Sequence, residues 1–311
     1  TLASTGGWVN VQSDQAYVDV YDATITGAGQ VAVHGSANNP TPTSVLGVAL
    51  QHATIASSGG GVVVAGKSNG NIGVRIDGNV DISSATGAVV TGTNVSVGSF
   101  PSGINLAGNL TGTGDLTLNG TTAGNGRGVL VGWANLTRTG KLTVNGTATP
   151  GSMAGIELGY SSISTGGGDI LLSSADGVNI YSSSLVSGNG AITVHGGSPT
   201  LAMVGTSITE SLTDAGTGAV EIKGESLGNE GTVVSRSMGG TVIGSTVDIW
   251  GRTNSVGSAA GLALINETIT ASGNVTLKAE GGDLAVTNTA VQSSGGSIAL
   301  EARAIGVPPP V

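Results

Sequence analysis

The sequence has no cysteine, so neither disulfide staples nor thiolate metal sites are available to it. Charged residues are only 9 % of the 311 and aromatics 3 %, where about a quarter charged is ordinary. Too few Glu, Lys and Leu heptads remain for a coiled coil. No unbroken apolar run approaches the roughly 18 residues of a membrane helix, although mean hydropathy is +0.26. The 10 basic residues are outnumbered by 19 acidic ones, and a net charge of -9 argues against nucleic acid as a partner. No initiator Met and no signal sequence open the chain, so Thr1 reads as the start of a processed or excised piece.

What is abundant is glycine, 56 residues without a G-X-Y period, which excludes collagen. One phrase recurs instead: apolar-x-apolar, a short gap, a lone apolar residue, a Gly/Ser/Thr turn, then apolar-x-apolar-x-Gly. It reads GINLAGNLTGTGDLTLNG from Gly103, GVLVGWANLTRTGKLTVNG from Gly128 and GLALINETITASGNVTLKAEGG from Gly261. The final apolar pair starts at Val31, Val62, Val89, Leu116, Leu142, Ile170, Ile192, Val220, Val247, Val275 and Ile298. From 31 to 298 is 267 residues in ten steps of 22 to 31, a mean near 27 and a solenoid period. The runs alternate with period two and are rich in Val, Ile, Leu and Thr, so the chain is β throughout.

A 27-residue unit has too few apolar side chains to bury a core by itself. Stacked units bury them as columns, here Val20, Leu50, Ile76, Leu106, Val131, Leu158, Ile180, Met203, Leu264 and Val286. The expected fold is all-β, a parallel, right-handed β-helix of about eleven coils with short excursions. A β-sandwich is the competing architecture. Excursions are expected at Ser36–Leu46, at Ser99–Pro101 and at Thr147–Ala154. One β-helical domain spans 1–306 with an irregular stretch at 210–258, and 307–311 starts a linker.

Most candidate chemistry dissolves under the repeat. His34 and His195 share the slot that holds Asn119, Asn145, Lys223 and Trp250 elsewhere, so they are expected to be outward side chains at a turn. No HExxH, no His cluster and no Asp-Asp or Glu-Glu pair occurs, and neither a metal, a cofactor nor catalysis is expected. The aromatics say more. Counting back three residues from the lone apolar residue gives Asp22, His52, Trp133, Tyr160 and Asn266. Trp133 and Tyr160 belong to successive coils, about 5 Å apart along the axis, and Tyr181 lies one slot off in the next. This is either a short aromatic platform for sugar rings or a corner-filling stack. Seven Asn-x-Ser/Thr sites follow the repeat too: Asn109 and Asn135 share one slot, Asn119 and Asn145 another.

ITASGNVTLKAEGGDLAVTNTAVQSSGGSIALEA (Ile269 to Ala302) and NLTGTGDLTLNGTTAGNGRGV resemble the repeats of filamentous-haemagglutinin-like exoproteins, over about Val18 to Ala302. These are adhesins that Gram-negative bacteria secrete by the two-partner route. That family's amino-terminal secretion domain carries Asn-Pro-Asn motifs; only Asn39-Pro40-Thr41 answers to them here. The resemblance implies an internal β-helical stalk, exported through an outer-membrane transporter to the cell surface. There it would attach to a receptor or glycan of a host or neighbouring cell, or hold out an effector. The absence of cysteine suits a chain threaded unfolded through a narrow barrel. Autotransporter passengers share this style of repeat. A polysaccharide lyase or hydrolase on the same fold, or a structural matrix element, is the alternative.

Overall fold

The computed structural model describes residues 1–37, 46–96, 99–149, 153–198, 203–254 and 259–304. Residues 38–45, 97–98, 150–152, 199–202, 255–258 and 305–311 fall outside that description. They include most of the first expected excursion, Pro150, the end of the irregular stretch and the linker.

The described residues form strands and turns without a helix, coiled into a right-handed parallel β-solenoid. Every strand pairs in parallel with the equivalent strand one coil away. Each coil has two short runs that meet at a bent corner and belong to an 18-stranded sheet, then one longer run in a 12-stranded sheet. Twelve strands stack in the second sheet because a coil beginning at Val9 precedes the first expected one. One start moves: Ala88, not Val89, pairs with Val62 and Leu116, and Val89 points outward. Two adjacent valines satisfy the alternation equally well from sequence, and only the cross-coil register separates them.

The core is a set of aliphatic columns. Val20, Leu50, Ile76, Leu106, Val131, Leu158 and Ile180 are mutual neighbours in register, as expected. The column then continues through Ile208 and Val234 to Leu264 and Val286. Met203 does not belong to it. Ile208 is the residue with a strand around it, whereas Met203 sits in a bend before that strand begins. In the neighbouring column, Leu136, Ile163 and Leu185 give way to a fully buried Thr213, while Leu212 turns outward.

The glycine that ends each phrase marks the place where the two sheets converge. A Cβ at Gly120 would lie 1.9 Å from the carbonyl oxygen of Gly128, and one at Gly146 2.1 Å from that of Gly155. No side chain fits at those two positions, although Ser174, Ala279 and Ala302 occupy the same slot in other coils. The strand does not stop at this glycine: Val31–Ala37 and Ile192–Ser198 run through it. His34 and His195 therefore lie outward but mid-strand, not at a turn. His195 Nε2 sits 2.6 Å from Glu221 Oε1.

One core position is filled by a cation. Arg138 is fully buried opposite Gly112, which leaves room for its guanidinium. It donates to the carbonyls of Ile82, Thr111 (3.1 Å), Thr113 (2.8 Å) and Gly114 (3.1 Å). Burial lowers its pKa to about 10, against the pull of Asp81 and Asp115. It ties three successive coils together from within.

Candidate functional site

The bent corner between the two short runs positions the candidate residues. The second residue after the inward column turns the chain and adopts φ near +50° in coil after coil. It is Asp22, His52, Trp133, Tyr160, Ser182, Glu210, Asn266 or Asn288, at φ 45° to 56°. Gly78 (φ 67°) and Gly108 (φ 110°) hold the same place in two consecutive coils. An L-residue there carries left-handed strain, which the pairing of coils on either side overcomes. The bend throws the side chain outward, away from the core. Trp133 is 76 % exposed and Tyr160 54 %.

A serine lock fixes the bend. Ser161, Ser183 and Ser211 follow the turning residue and are buried. Each hydroxyl donates to the carbonyl two residues earlier, at 2.7 to 2.8 Å. Each also accepts the N–H of the equivalent residue one coil below: Ala134 to Ser161, Ser161 to Ser183, Ser183 to Ser211. The corner interrupts the backbone ladder, and the hydroxyls satisfy the groups left over.

Trp133, Tyr160 and Tyr181 come together as the repeat spacing predicts. The Trp133 and Tyr160 rings are near-parallel, 11° apart with centroids at 5.4 Å, and Tyr181 meets Tyr160 edge-on at 5.4 Å. Offset stacking of this kind adds about 0.5–1.5 kcal/mol beyond burial. The rings do not lie side by side as a flat platform. They face one another along the rod, so Tyr160 covers one face of Trp133 and the other is open. Tyr181 lies over Gly159, where a Cβ would come within 2.3 Å of its ring. Its hydroxyl reaches Glu157 Oε1 at 3.4 Å, and Glu157 Oε2 accepts from Arg127 Nε at 2.6 Å. Burial, reinforced by Glu157, raises the Tyr181 pKa.

Two grooves run beside this corner, and the coil of Asn135 borders both. One, of about 780 Å³, extends from Tyr160 over Ser162 and Ser184 to Glu210 and Arg236. The other, of about 440 Å³, extends from His52 over Asn79 and Asn109. Asn109 donates to Asn79 at 2.7 Å and Asn135 to Asn109 at 3.0 Å, an exposed amide ladder one residue per coil.

The first groove ends in charges that sequence reading did not single out. Arg236 Nε lies 3.4 Å from Glu210 Oε2, and the Ser237 N–H donates to Glu210 Oε1 at 2.6 Å. Hydrogen bonding from Ser237, with Arg236 behind it, holds the Glu210 carboxyl below the usual range. Glu267, 3 % exposed, stands where other coils put serine, against the bare backbone of Gly240. Burial pushes its pKa to about 7; Arg236 opposes the shift and Glu210 adds to it. Its position in the repeat is legible in NET at Asn266, but its burial is not, because the lengthened corner that accommodates it lies one coil earlier. Among the described residues, no three His, Asp or Glu side chains gather as a metal site.

Comparison with models of known protein families, with curated proteins and with solved structures found no match for this chain.

Proposed function

We propose that this chain is part of an adhesive rod on the outside of a bacterial cell, exported through an outer-membrane transporter. It attaches by holding a glycan at Trp133, Tyr160 and Tyr181. The observation that carries the reading is the open indole of Trp133, a large apolar surface beside grooves lined with amides and hydroxyls. Aromatic faces hold sugars through their apolar C–H surface, while nearby polar groups take the hydroxyls. The repeat's resemblance to secreted adhesins supports the location, and no helix among the described residues is long and apolar enough to cross a membrane. Trp133→Ala should weaken binding on a glycan array at least tenfold while leaving the melting temperature within a degree or two. A melting temperature lowered by several degrees with binding intact would make the stack structural and remove the proposal.

The polysaccharide-processing alternative draws on one feature, the Glu210 and Glu267 carboxyls, whose affinities for protons are pushed apart. Against it stands the burial of Glu267, whose Oε2 has neither solvent nor a hydrogen-bond partner. Release of reducing ends from a polysaccharide panel, abolished by Glu267→Gln, would establish the enzyme instead.

A further inference from the structure

The row of outward side chains at the bent corner has a gap. His52 and Trp133 hold the turning position in the coils immediately either side of it, and Gly78 and Gly108 hold it in the two coils between them. The backbone itself makes the gap. At φ 110°, a Cβ on Gly108 would lie 2.4 Å from the carbonyl oxygen of Gly78, so no side chain can project there. The register deepens it further: Gly108 pairs with Ala134, and Trp133 is an extra residue without a counterpart in the coil below. Its second face looks into the gap.

The other end is closed. The His52 imidazole lies on Gly78, with Cε1 2.6 Å from where a Cβ would be, and Tyr21 meets it edge-on at 6.3 Å. Between the level of Gly78 and that of Trp133 are two coil steps, about 10 Å. The floor alongside is the amide ladder of Asn79, Asn109 and Asn135, within the 440 Å³ groove. Each link uses one N–H and one oxygen lone pair. An amide has two of each, so unused donors and acceptors remain at every rung. The one carboxylate in the groove, Asp81, accepts from Ser83 at 2.8 Å and Thr111 at 3.1 Å. Among the described residues no lysine or arginine lines it: Arg138 is buried behind the wall, and Arg75, on the strand leading to Gly78, is already paired with Asp77 at 2.6 Å.

We propose that this gap seats one uncharged pyranose ring, its C–H face on the open face of Trp133 and its hydroxyls on the asparagine ladder. The inference rests on the glycan reading above and adds the place of binding and the class of sugar. A neutral ring meets every feature of the gap. A uronic or sialic acid would bring its carboxylate beside Asp81 and Asp77, where Arg75 is already engaged by Asp77.

The test uses immobilised oligomers of glucose, galactose, mannose and N-acetylglucosamine, together with uronic-acid and sialylated counterparts. Gly78→Asn keeps a residue type that Asn266 and Asn288 show to be accepted in this conformation. Its side chain takes the space of the His52 ring, so the closed end of the gap is rebuilt, while the Trp133–Tyr160 stack is left untouched. Asn109→Ala alters only an exposed rung, so it reports even if Gly78→Asn melts early. The expected result is binding of neutral oligomers, at least tenfold weaker acidic counterparts, a tenfold or greater loss in Gly78→Asn and a several-fold loss in Asn109→Ala. If folded Gly78→Asn and Asn109→Ala bind like the wild type while Trp133→Ala does not, the sugar sits elsewhere on the stack. The gap is then overturned and the glycan reading stands. Preference for acidic oligomers overturns the assigned class. Absence of binding to every oligomer by the wild-type chain overturns both.

Discussion

Two corners of the same rod, one coil apart, solve the same problem differently. At Ser161, Ser183 and Ser211 the bend is minimal, and short hydroxyls satisfy the backbone groups it interrupts. One coil further on, four residues separate Ser235 from Gly240 where a single Asn266 separates Ile265 from Glu267 in the next coil. The three additional residues displace the serine lock. Glu267 enters the vacated place with one oxygen unsatisfied and its proton held to about pH 7. The regular corner is self-sufficient; the lengthened one keeps its fold but stores an electrostatic cost. Tolerance of such an insertion reflects the solenoid itself, in which each coil needs only its neighbours.

The largest effect should come from the regular stack. Leu158→Asp buries a charge without a partner between Val131 and Ile180 and should cost several kcal/mol. Circular dichroism should show a melting transition lowered by many degrees. A smaller effect belongs to the lengthened corner. The Glu267 pKa is raised from 4.5 to about 7, so the fold favours the protonated acid. Stability is therefore fully present below pH 4.5 and declines as pH rises through 7, by at most about 3 kcal/mol. Thermal melts at pH 5 and pH 8 should differ in the wild type, and Glu267→Gln should flatten the difference. The smallest effect is at the lock. Ser183→Ala leaves the Ser161 N–H without its acceptor and should cost about 1 kcal/mol. That loss should be independent of pH, which separates it from the Glu267 effect in the same melts.

The period, the β character and most of the inward column were legible because alternation and repetition report directly on stacking. The slot holding Asp22, His52, Trp133, Tyr160 and Asn266 was legible as well, as a position. Its left-handed conformation was not, because tryptophan and tyrosine lack the preference for it that aspartate, histidine and asparagine have; the coils on either side impose it. The repeat count points to Met203 rather than Ile208 because it cannot locate a strand start after an irregular turn. Arg138 and Glu267 were invisible as buried groups for a related reason. Each depends on a glycine in another coil, Gly112 and Gly240, for its space. The gap at Gly78 and Gly108 is the same kind of feature, a space created by what two coils omit.

The central claim is that equal slots in the repeat become in-register neighbours: the aromatic stack follows from that register, and the gap beside it from the one-residue break at Trp133. A chain without cysteine allows a direct test. Asn119 and Asn145 pair across adjacent coils, with Asn145 Nδ2 donating to Asn119 Oδ1 at 2.9 Å, while Ser173 occupies the slot one coil further on. Neighbouring strands lie about 4.8 Å apart, inside the usual Cα range for a disulfide, and next-nearest ones about 9.6 Å apart, outside it. Under mild oxidation, Asn119→Cys/Asn145→Cys should form its disulfide in the folded monomer and Asn119→Cys/Ser173→Cys should keep two free thiols. The reverse outcome, or free thiols in both variants, would contradict the stacked register and with it the site.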